Sequence, residues 1–172
     1  IASTRDFPHP RGGWRGGGCG VVTVGAGGEA EWVLVDGGGG PWDEDSPGDA
    51  GSPALYLNEG AGHFSDATAG SGLDVTFYGT GLAAGDIDGD GLTDLFIAAV
   101  GPDRLFRNLG GGRSEDVTEP AGAGGDGGDW GSSCGCFDYD RVWDPALSVC
   151  NHVVWNRASE PPETLQADGR RR

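Results

Sequence analysis

Two stretches of this chain repeat each other about fifty residues apart, and that spacing limits what it can fold into more than any other feature. "LYLNEGAGHFSDATAGSGL" from Leu55 aligns without a gap to "LFRNLGGGRSEDVTEPAGA" from Leu105, sharing Leu, Asn, Gly, Gly, Asp, Thr and Gly in register. "YGTGLAAGDID" from Tyr78 pairs in the same way with "WGSSCGCFDYD" from Trp130. A unit of this length suits a four-stranded propeller blade. A helical hairpin repeat is a poorer match, because 36 of the 172 residues are glycine and no window carries a helical stripe.

One unit reads strand by strand. "FYGTGLAA" (77–84) alternates small and apolar residues, an acidic loop turns the chain, and "LFIAAV" (95–100) is an apolar run that reads as a buried strand. "GPD" then makes a turn, "RLFRNL" (104–109) a third strand, "GGG" a second turn and "SEDVT" (114–118) a short outer strand. The fold expected is all-β, with antiparallel four-stranded blades in an incomplete propeller of about two to three repeats. Along the chain the expected divisions are a disordered or leader remnant over 1–19 and a degenerate first unit over 20–76, with a Gly/Asp-rich loop at 36–53. An intact blade and linker follow over 77–129, then a partial unit over 130–155 and a disordered tail over 156–172.

The acidic loop carries the chemistry. In "GDIDGDGLTDLFI", Asp86, Asp88, Asp90 and Asp94 are packed so closely that their charges repel unless a cation sits among them. Calcium takes six to eight oxygens from carboxylates, carbonyls and water. Alternating aspartates on a curled loop supply such a shell, with Gly89 and Gly91 permitting the tight backbone. The expected ligands are the carboxylates of Asp86, Asp88, Asp90 and Asp94 and the carbonyl of Leu92. An EF-hand opens similarly but needs a Glu at its twelfth position and flanking helices; here that position is Ile97 and the flanks read as strands. A D-x-D phosphatase, with the first Asp as nucleophile, is the enzymatic alternative. It calls for an α/β fold and a later basic residue, usually Lys, and this chain has neither helical pattern nor Lys.

"GTGLAAGDIDGDGLTDLFIA" followed by "RLFRNLGGG…EDVT" resembles the FG-GAP/VCBS repeats of integrin-α-like β-propellers. The pairing of "LYLNEGAGHFSDATAGSGL" with "WGSSCGCFDYD…VCNHVVW" is most similar to the cartilage-acidic-protein (ASPIC/UnbV) type, over about residues 54–155. The resemblance implies a calcium-binding loop at Asp86, Asp88, Asp90, Leu92 and Asp94. It also implies a secreted or cell-surface setting, a binding or adhesive role with another protein or matrix component, and no catalytic residues. The alternative within the non-enzymatic class is a structural repeat fragment presenting other domains of a larger secreted protein. The next unit departs from the pattern: "DYDRVWDPA" keeps Asp138, Asp140 and Asp144 but has Val142, Trp143 and Ala146 where acid, Gly and acid are expected, which makes it a weak second site. The loop at 25–31 is likewise degenerate, with Glu29 and Glu31 in place of aspartates.

The net charge of −16 disfavours nucleic acid as a partner and favours metal cations and basic protein patches. No stretch is long and apolar enough for membrane insertion. The start at Ile1, without Met or a signal-like apolar core, reads as a soluble piece of something longer or as a mature form whose leader is missing. Cys134 and Cys136 fall on one face of a strand, and a disulfide from either to Cys150 stands beside the default reading of free thiols.

Overall fold

The computed structural model describes residues 19–22, 30–37, 51–139 and 145–154. Most of the ends and of the 36–53 loop lie outside these residues, as do Asp140 and Asp144. Ten strands and one helical turn are described. A first antiparallel sheet runs in the order β1 (Cys19–Val22), β2 (Glu31–Leu34), β3 (Ala54–Gly60), β4 (His63–Asp66). A second has the order β5 (Gly79–Gly85), β6 (Asp94–Ala99), β7 (Arg104–Gly110), β8 (Arg113–Asp116). The two antiparallel strands β9 (Asp129–Phe137) and β10 (Ala146–Val154) form a separate hairpin sheet. No helix among the described residues is long and apolar enough to cross a membrane.

The run "DLFIAA" is buried at every position, which a sheet covered on one face would not produce. Alternate residues explain it. Leu95 and Ile97 face a core with Val33 and Leu55 of the first sheet and Phe106 of β7, while Phe96 faces the hairpin with Leu105, Leu147 and Val149. The second sheet is therefore sandwiched between the first sheet and the hairpin. Phe106 is fully buried and stacks on Phe77, their ring centroids 6.4 Å apart.

Glycine lets these layers approach. A Cβ at Gly79 would lie 2.3 Å from Val35 Cγ1, and one at Gly81 3.0 Å from Ser133 Cα, so any side chain there would push the sheets apart. Between them Thr80 donates its hydroxyl to the carbonyls of Ala98 and Gly131, bridging β5, β6 and β9.

The sequence repeat is reproduced bond for bond. Asn58 and Asn108 each accept the amide of the glycine two residues on, at Gly60 and Gly110. Thr68 and Thr118 each accept a backbone amide from the start of the third strand, at Leu55 and Leu105. Asp66 and Asp116 accept the amides of Thr68 and Thr118. The Thr68 bonds hold the Asp66 carboxyl below its usual range. The structure departs from the sequence reading at one end: the chain leaves strand β8 at Asp116 and forms one helical turn, α1 (Thr118–Ala121), closed by Gly122 in the left-handed conformation.

Candidate metal centre

The loop between β5 and β6 is a staircase of carboxylate-to-amide bonds. Asp86 Oδ1 accepts the amides of Gly89 and Asp90, and its Oδ2 accepts that of Gly91. Asp88 accepts from the Asp90 amide and Asp90 from the Leu92 amide. Such short-range bonds need a backbone that doubles back. Gly89 and Gly91 supply it, with φ of 75° and 86°.

Asp94 stands apart. It opens β6, is 2 % exposed, and accepts the Ile87 amide on Oδ2 (2.9 Å) and the Asn108 amide on Oδ1 (2.8 Å). Asn108, on the neighbouring strand β7, also donates its side-chain amide to the Thr93 carbonyl. Asp94 is thus fixed from both sides, and each of its oxygens keeps a lone pair for a further partner.

Ligand atoms of Asp86, Asp88 and Asp94 lie within 4.8 Å of one another. Oxygens bound to one calcium at 2.3–2.6 Å are at most about 5 Å apart, so this donor set fits that ion. Of the five residues predicted from sequence, these three converge. Asp90 lies outside the group: its Oδ2 pairs with Arg107 Nη2 at 3.4 Å, while Arg107 Nε sits 2.6 Å from Asp88 Oδ2. Leu92 is tied in through its amide. Arg107 and Asn108 were not foreseen as part of the site. Asn108 had a signal, being the asparagine shared by the two repeats, whereas nothing in the sequence pairs Arg107 with residues 88 and 90.

The corresponding loop of the hairpin is different. Asp138 is exposed and follows β9 as Asp86 follows β5, but β10 opens with Ala146 where β6 opens with buried Asp94. The other two predicted ligands there, Asp140 and Asp144, lie outside the described residues.

Cys134, Cys136 and Cys150 are free thiols. Cys134 pairs with Val149 and Cys136 with Leu147 across the hairpin. Cys150 is exposed and pairs with Ser133, one residue out of phase with the other two. Burial raises the Cys134 and Cys136 thiols above their ordinary range; for Cys136 the negative charge of Asp94 adds to this.

The FG-GAP-like repeat family matches the chain twice, over residues 45–97 and 86–141. The two matches overlap on the acidic loop and the start of β6. The first runs from β3 and β4 of the first sheet into β5 and β6 of the second, and the second from β6 to β9, so each crosses from one sheet to the next. A search of curated proteins found none that matches. The matched residues cover more than half of the chain, and its antiparallel four-stranded sheets are of the β-propeller blade kind that such repeats build; the chain belongs to the FG-GAP-like repeat family.

Proposed function

We propose that this chain is a non-catalytic protein-binding scaffold, of the cartilage-acidic-protein (ASPIC/UnbV) type and extracellular, in which calcium held by the 86–94 loop stabilises the fold. The observation that carries the reading is the convergence of Asp86, Asp88 and Asp94 at the junction of β5 and β6, in a sheet covered on both faces. An ion there would tie β5 to β6, and through Asn108 to β7. The phosphatase alternative loses its support, since the DIDGD segment joins two antiparallel strands of an all-β fold.

The test is thermal unfolding followed by circular dichroism, with calcium and with chelator. Calcium at about a hundred times its dissociation constant contributes roughly 2.7 kcal/mol, and the midpoint is expected to rise by roughly 5–10 °C. In Asp88→Asn the rise should shrink or vanish while the spectrum keeps its β form. A parent chain indifferent to calcium would sink the proposal.

Arg107 sets a second expectation. Its guanidinium lies against Asp88 and Asp90, about half exposed, so as an ion pair it is worth only about 0.2–1 kcal/mol. As a positive charge beside a calcium ion it opposes binding by about 1 kcal/mol even in high dielectric. Arg107→Gln should therefore raise calcium affinity about fivefold in a calorimetric titration. Unchanged affinity would mean that the side chain swings clear without cost.

A further inference from the structure

A cavity of about 200 Å³ lies between the second sheet and the hairpin, well away from the acidic loop in sequence. Phe96, Leu147 and Val149 give it apolar walls, and the glycine-rich segment 123–127 forms much of its rim. Three carboxylates also line it: Asp103, Asp126 and Asp129. Asp103 is the unusual one, being 8 % exposed. Its Oδ1 accepts the Ala99 amide at 2.9 Å, but Oδ2 takes no hydrogen bond among the described residues and lies on the Gly125 side of the cavity. Burial pushes the Asp103 carboxyl above its ordinary range, the Ala99 amide offsets part of this, and the charge of Asp129 pushes it further up. Asp129 is steadied by the Asn151 side-chain amide at 2.7 Å. Asp103 Oδ2 is open to the cavity rather than sealed off from solvent, and with Asp129 beside it the two carboxylates give the cavity a negative wall that a cation would complement.

A metal ion does not fit this place. Among the described residues, Asp86, Asp88 and Asp94 are the one group of three acids, histidines or cysteines whose ligand atoms come within 4.8 Å of one another. The carboxylates of the cavity are too dispersed to close on a point charge. An extended cation on an apolar stem matches both features, and a planar guanidinium offers several donors to separate carboxylates while its methylenes lie along Phe96, Leu147 and Val149.

We propose that this cavity receives an arginine side chain presented by a protein partner. The proposal deepens the scaffold reading and rests on it, since it names the contact by which the scaffold would hold its partner. The net charge of −16 would draw a basic segment towards it, and the attraction would weaken with salt.

The experiment is a titration of the full chain, ¹⁵N-labelled and in calcium, with N-acetyl-arginine N-methylamide, followed by amide chemical shifts. The neutral citrulline counterpart and uncapped arginine are the controls. Saturable shifts at Gly124, Gly125 and Gly127 are expected with the capped arginine and not with citrulline. Asp103→Asn, whose side-chain oxygen still accepts the Ala99 amide, should weaken binding at least tenfold. Asp129→Asn, which keeps an acceptor for Asn151, should weaken it about threefold and serves if the first variant does not fold. Equal binding of citrulline, unsaturable shifts spread over the acidic surface, or unaltered affinity in the folded variants would overturn the proposal. Tighter binding of uncapped arginine would overturn it too, by pointing to a small-molecule site. A chain that melts higher in calcium yet ignores arginine loses this proposal alone; one that also ignores calcium loses the scaffold reading with it.

Discussion

Asp94→Ala is expected to lower the stability of the metal-free chain by about 3 kcal/mol, although Asp94 is a candidate metal ligand and the measurement is made in chelator. The reason lies in the two amides it holds. With the carboxylate gone, the Ile87 and Asn108 amides lose their acceptor in a site where Asp94 is 2 % exposed, and each such orphaned donor costs about 1–3 kcal/mol. One effect works the other way, since removing Asp94 relieves its repulsion with Asp86 and Asp88. Those neighbours are partly exposed, and at such distances screened charges interact by only about 1 kcal/mol. The lost acceptor therefore prevails. Asp88→Ala makes the contrast, because its exposed carboxylate accepts a single loop amide and pairs with Arg107; it should cost under about 1 kcal/mol in chelator. Both variants should lose the calcium response. Urea unfolding of the two, with and without calcium, separates a residue that holds the fold from one that only faces the ion. Equal losses in chelator would refute the distinct role given to Asp94.

Phe106→Ala should be at least as costly, by about 3–5 kcal/mol. Its ring has no exposed surface, stacks on Phe77, and joins Leu55 and Val33 of the first sheet to Leu95 and Ile97 of the second. Truncation leaves a cavity at the plane where two sheets meet, and rigid strands cannot easily collapse into it. Such a loss is a large part of the 5–15 kcal/mol that keeps an ordinary domain folded. Phe137→Ala is the control: that ring is 53 % exposed at the end of β9, and its loss should change stability by no more than about 0.5 kcal/mol. Denaturant midpoints decide the matter. A loss below about 1 kcal/mol for Phe106→Ala would mean that the two sheets do not share this core.

The strands between residues 77 and 118 were legible in the sequence because their signals are local. Alternation of small and apolar residues, glycines at Gly110, Gly111 and Gly112 with positive φ, and an acidic loop closed by Gly89 and Gly91 act within a few residues of one another. The fifty-residue offset likewise announced that Asn58, Asp66 and Thr68 would be matched by Asn108, Asp116 and Thr118, since equal local sequence closes equal local bonds. Even the exception is local: Ala61, at φ 52°, takes the place held by Gly111 in the next repeat.

What a residue faces across the fold was not legible. Spacing presented Asp90 and Asp94 as equivalent ligands, but one pairs with Arg107 and the other is locked between Ile87 and Asn108, because strand register brings β7 alongside the loop. The unbroken apolar run already marked β6 as buried, but which layer covers each face emerged only from the stacking of three sheets. The same stacking encloses Asp103, which in the sequence is simply the end of a Gly-Pro-Asp turn. Local sequence determined the strands, the turns and the acidic loop, where free energy is decided between neighbours. The tertiary structure alone decided which carboxylates meet, which of them take a guanidinium and which is buried beside a cavity, because those outcomes depend on distances between residues that only cross-strand register and sheet packing set.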